Sequence, residues 1–145
     1  MKLTDHPLHP ALAHFPVAFW TAAVAADAAA LVTGDGAWWT WSHHALVAGL
    51  LTAAVALLAG AGEAFFRRIP REARRTLAFH ITSMVAAFAL FLASLALRKQ
   101  VAPSMLALVL SALGLATLVL GGWFGGSLVY RFGVGTQHAP PDSPG

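Results

Sequence analysis

Residues 6–32 read HPLHPALAHFPVAFWTAAVAADAAALV. Three histidines and three prolines lie between His6 and Pro16, and an apolar run extends from Ala11 to Val32. At about 1.5 Å per helical residue, that run crosses the roughly 30 Å of hydrocarbon in a bilayer. It predicts a membrane helix over about 11–32. Pro10 suits a first helical turn, where its missing N–H costs nothing. If the helix already begins there, Pro16 lies inside it and frees the carbonyl of Leu12. If it begins near His14, Pro16 is itself in the first turn. Histidine and aspartate are expensive at membrane depth, so His14 and Asp27 are expected to be inward and paired, or wet.

The remainder repeats the apolar pattern three times, over about 42–66, 76–97 and 103–124. Of 145 residues 58% are hydrophobic and 10% charged, against about 25% charged in a soluble domain. The expected fold is therefore an all-α integral membrane four-helix bundle. One domain should cover residues 1–135, followed by a flexible tail over 136–145. No cleavable signal peptide is expected, because the first apolar run is too long for a signal core. The lipid bilayer is the expected partner. The net charge of +3 is concentrated in one arginine-rich loop, which speaks to topology and not to nucleic acid. The absence of cysteine excludes disulfides, thiolate-held zinc, iron–sulfur clusters and c-type haem attachment.

Arg67, Arg68, Arg71, Arg74 and Arg75 lie between the second and third runs. The loop between the first two has no Lys or Arg but ends in Trp38, Trp39 and Trp41, which read as interface anchors. The positive-inside rule then puts the second loop and both termini in the cytoplasm. Arg98 and Lys99 fall on the outer side and oppose this assignment, but are outnumbered.

In this topology His14 and His80 lie a few residues inside the same membrane face, so they reach similar depth. Glu63 and the run Gly121 to Gly126 end their spans there too. Three readings fit the two histidines. Each could bond a backbone group and hold helices together. They could be the axial ligands of haem b, since two facing helices of a bundle can hold an iron between neutral imidazoles. They could line a non-haem metal or quinone pocket. In the haem reading His14 and His80 are the metal ligands, and Gly60, Glu63, Gly122 and Trp123 line the pocket. Arg67, Arg71 and Arg75 meet the propionates. His6 and His9 are expected to cap the helix or lie at the surface, although His9 could supply a third ligand or a proton route. Asp27 is expected to pair with His43 or His44, as a polar clamp or a proton relay. The glycines after the fourth span lack the preceding strand of a phosphate loop, so no nucleotide site is expected.

The pattern His9-Pro10, His14-Phe15-Pro16, Asp27, His80, Gly122-Trp123-Phe124-Gly125-Gly126-Ser127-Leu128-Val129-Tyr130 and Gly133-Val134-Gly135 spans nearly the whole chain. It resembles the bacterial four-span membrane proteins grouped as domain of unknown function 2231. The resemblance implies a compact four-helix domain in the bacterial inner membrane and no established reaction. Some related proteins accompany cytochrome or other redox domains, which points toward haem. His138 follows the final motif and receives no role. Three functions follow as expectations. The first is a b-type electron-transfer protein working between quinone and a redox partner. The second is a non-catalytic scaffold or assembly module with structural histidines. The third is a metal-binding or transport protein using His9, His14, Glu63 and His80.

Overall fold

A computed structural model describes residues 8–66, 69–98 and 103–135. Four helices carry the chain: α1 (Leu8–Thr33), α2 (Ala37–Phe66), α3 (Arg74–Leu97) and α4 (Met105–Tyr130). A 3-10 turn, Arg71–Ala73, leads into α3. All four helices are long and apolar enough to cross a membrane. The expected all-α four-span bundle is the fold observed. The tail over 136–145 lies outside the described residues.

Both ends of the molecule differ from the sequence boundaries for local reasons. The first helix begins at Leu8, before Pro10, so Pro16 lies inside it and is buried. The carbonyl of Leu12 therefore has no N–H to accept from four residues on. The fourth helix runs through Gly125 and Gly126 to Tyr130 and stops at Gly133, whose φ is +63°. There the N–H of Gly133 donates to Val129 O and that of Val134 to Leu128 O, a closure that needs the left-handed backbone glycine supplies. Gly34, φ +71°, ends α1 in the same way by donating to Ala30 O.

Each helix turns one stripe inward at alternating steps of three and four residues. In α1 it is His9, Pro16, Trp20, Ala23, Asp27 and Ala30; in α2, Ser42, Leu46, Gly49, Ala53, Ala56 and Gly60. In α3 it is His80, Ala87, Phe91 and Ser94, and the stripe continues to Arg98; in α4, Ala107, Ser111, Gly114, Leu118, Gly121 and Gly125. This spacing is that of helices packing side by side in a bundle. The outer faces carry large apolar side chains that suit lipid, such as Leu58, Phe65 and Trp123, whereas Asp27 and Arg98 are buried inside. The first helix packs along α2 and the third along α4; between these hairpins α1 meets α4 and α2 meets α3, which leaves α1 and α3 facing across the centre.

The centre is filled from that diagonal. Trp20 stacks on Phe91 with ring centres 4.4 Å apart. Glycine on α2 and α4 makes the room. A Cβ on Gly49 would lie 2.5 Å from Trp20 Nε1, and one on Gly114 would lie 3.0 Å from Phe91 Cε2. Gly49→Ala should therefore cost about 1–3 kcal/mol by overpacking, because the indole is only 2% exposed and cannot give way. Gly62→Ala, where an added Cβ meets nothing within 4 Å, is the control. The check is the thermal midpoint in detergent, which should fall for the first variant alone.

Candidate functional site

Two polar clusters occupy the bundle interior at opposite ends. The first is built on Asp27 and Arg98. Asp27 is buried as expected, but its partner is Arg98 and not His43 or His44, which are exposed side by side at the start of α2. The pairing is a fork: Arg98 Nη1 donates to Asp27 Oδ1 at 2.8 Å and Nη2 to Oδ2 at 2.5 Å. Nη1 also donates to Ser42 Oγ at 3.1 Å, Nη2 to Ser111 Oγ at 3.2 Å and Nε to Ser94 Oγ at 3.4 Å. All five guanidinium N–H groups thus have an acceptor. Ser94 in turn donates to Ala107 O at 2.7 Å and lies 2.8 Å from Ser111 Oγ. Carboxylate, guanidinium and hydroxyls come from all four helices and their ends, so this cluster ties both hairpins together.

The second cluster lies about 27 Å along the helices, eighteen residues away on both α1 and α3. His9 Nδ1 is 2.8 Å from Ala56 O, and His80 Nδ1 is 2.9 Å from Gly121 O. A carbonyl only accepts, so each Nδ1 carries the hydrogen, and the neutral form of such a ring has its lone pair on Nε2. The two imidazole centres are 6.3 Å apart with their planes at 81°. Each ring rests on a glycine. A Cβ on Gly60 would lie 2.8 Å from His9 Nδ1, and one on Gly125 would lie 3.0 Å from His80 Cε1. Glu63 Oε1 accepts from the backbone N–H of His9 at 3.0 Å, which satisfies one of the orphan donors at the start of α1.

The expected meeting of His14 with His80 is corrected here: His80 meets His9, which turns inward instead of capping the helix or lying at the surface. His9 and His14 are five residues apart, which turns them about 140° from one another around a helix. With His9 inward, His14 points out and lines an open groove on the lipid side of α1 with Val17, Ala18 and Thr21. The same rotation separates the residues of α4. Gly121 and Gly125 face the histidine cluster, whereas Gly122 and Trp123, expected to line the pocket, face outward. Gly60 and Glu63 do sit in it. Arg71 and Arg75 are exposed, and Arg75 lies over the ring of Phe79 at 5.6 Å. Arg67, His6 and His138 lie outside the described residues. Among the described residues no three histidine, aspartate or glutamate side chains are grouped as a metal site.

Neither Arg98 nor the roles of Ser42, Ser94 and Ser111 follow from hydropathy, but another signal in the chain reaches Arg98. His9, Trp20 and Asp27 precede His80, Phe91 and Arg98 by one constant interval. Gly49, Thr52, Ala56 and Gly60 precede Gly114, Thr117, Gly121 and Gly125 by another, slightly shorter one. The model for the predicted membrane proteins of DUF2231 matches residues 5–138. The chain belongs to this family. No curated protein and no solved structure matches it. The interior of this DUF2231 protein thus carries an ion-pair cluster at one end of the bundle and an imidazole pair at the other.

Proposed function

We propose that this DUF2231 protein is a small electron-transfer protein of the bacterial inner membrane that holds b-type haem between His9 and His80. The observation that carries the proposal is the hydrogen bonding of the two imidazoles. In both, Nδ1–H is tied to a backbone carbonyl, which directs ligation to Nε2 and is the arrangement that orients histidine ligands. An iron about 2 Å from one nitrogen of each ring keeps the ring centres roughly 6 Å apart, and the separation here is 6.3 Å. When bound, the haem supplies a one-electron ferric–ferrous couple. That couple would let the protein pass the two electrons of a membrane quinol one at a time to an oxidised partner protein, with the quinol's two protons released to water. His9 and His80 would together hold the group, which would favour this transfer over oxygen chemistry.

One observation favours a second reading, in which the protein is a scaffold. The same two hydrogen bonds fasten α1 to α2 and α3 to α4, so the imidazoles also serve as clamps. The visible spectrum of protein produced with ample haem, oxidised and then reduced with dithionite, separates the readings. Sharp reduced-state bands are expected; their absence leaves the scaffold.

The proposal keeps the arginine loop and both termini in the cytoplasm. Its support is that Arg98, which opposed this orientation as a loop cation, is instead buried against Asp27. The chain has no cysteine, so Pro70→Cys places a single thiol at an exposed loop position. An impermeant maleimide should fail to label it in intact cells and should label it after permeabilisation. Labelling of intact cells would reverse the orientation.

A further inference from the structure

The correspondence between the two halves recurs at three levels of the interior. His9 meets His80, Trp20 stacks on Phe91 and Asp27 pairs with Arg98. The partners in each pair are separated by the same length of chain. The supporting helices repeat as well. The carbonyls that hold the imidazoles belong to Ala56 and Gly121, and the glycines under the rings are Gly60 and Gly125. The glycines that admit the aromatic pair are Gly49 and Gly114. Thr52 and Thr117 each bond back to the carbonyl four residues earlier, both at 2.8 Å. These pairs too share a single interval. It is shorter than the first because α1 and α2 extend further beyond the Asp27 level than α3 and α4 extend beyond Arg98, so less chain separates Arg98 from Gly114 than Asp27 from Gly49.

From this we infer that the chain is a fused pair of equivalent helical hairpins about a pseudo-two-fold axis, and that the imidazole pair, lying on that axis, binds one ligand presenting equal faces to both halves: a metalloporphyrin taking one imidazole from each. The inference rests on the haem reading and adds the symmetry of its site. The first and third helices run in the same direction, so the axis stands along the membrane normal, as it does for parallel repeats. Symmetry has two consequences for the ligand. The two histidines should bind with similar affinity, each on its own carbonyl and glycine support, although Glu63 stands beside His9 where Leu128 is the equivalent residue in the second half. The ring planes, each fixed by its own hydrogen bond, stay nearly perpendicular as they are now, at 81°.

The test uses the full-length protein in detergent, titrated with haemin. Gly60→Val and Gly125→Val crowd the two rings alike and should weaken haemin binding by matching factors, about 10–100-fold, as displaced ligand supports do. The electron paramagnetic resonance spectrum of the oxidised wild type should show the highly anisotropic low-spin signal of perpendicular imidazoles. Haemin bound with reduced-state bands, but with one glycine indifferent or with the rhombic signal of parallel rings, would overturn the symmetric site while leaving the haem reading intact. Failure of the wild type to bind haemin would remove both.

Discussion

Replacing Arg98 with Met should cost the bundle about 3–5 kcal/mol, and replacing Asp27 with Leu should cost the same, because either change leaves an orphaned buried charge. Five N–H groups and two carboxylate oxygens now satisfy each other and their serine neighbours there. The side chains concerned are only 3% and 6% exposed, so neither can reach water by changing rotamer. The double variant Asp27→Leu/Arg98→Met should recover most of the loss, since removing both partners of a buried pair is often neutral or stabilising by about 1–4 kcal/mol. Asp27→Asn should be milder than Asp27→Leu because the amide still accepts from the guanidinium. Exchanging the charges, Asp27→Arg with Arg98→Asp, should rescue poorly. Ser42, Ser94 and Ser111 serve an arginine at position 98, whereas their counterparts in the repeat are Ala107, Ala23 and Leu46. The measurement is the free energy of unfolding in mixed micelles. A single Arg98→Met variant as stable as the wild type would show that the pair does not hold the hairpins together.

The second large effect is spectroscopic. His9→Ala and His80→Ala should each abolish the reduced-state haem bands, while His14→Ala leaves them unchanged. The contrast is sharp because His14 lies outside the bundle by about 140° of helical rotation from His9. The variants should still insert, since apolar spans and packing carry the fold. Loss of the bands in His14→Ala with retention in His9→Ala would place the ligand elsewhere than on the diagonal between α1 and α3.

Much of the architecture is legible in the chain because lipid imposes length and apolarity on whole segments. The four runs and the inward turn of Asp27 need no more than that. The histidine partner is harder, since it depends on where α1 starts. With a span beginning at Ala11, His9 precedes the helix and His14 is the natural candidate. The helix in fact begins at Leu8, and the earlier start brings His9 onto the stripe that already holds Trp20 and Asp27. Arg98 reads as loop because a charge interrupts the apolar run there, and hydropathy does not distinguish a charge facing water from one facing a buried carboxylate. Comparison of the chain with itself does. When the second hairpin is laid on the first, Arg98 stands where Asp27 stands, and opposite charges at equivalent positions are a pairing signal.

The opposite signs at that level also bear on how the protein is made. Two copies of the first hairpin would bring aspartate against aspartate, and two of the second arginine against arginine, so each hairpin rejects its own kind. During synthesis the first hairpin enters the membrane with its carboxylate unmatched, and only the arrival of α3 brings the cation that neutralises it. A chain cut short after α2 therefore stays marked by a lone acid within the bilayer, a costly feature. Membrane proteases that survey unassembled helices have there a chemical difference between a finished protein and a fragment.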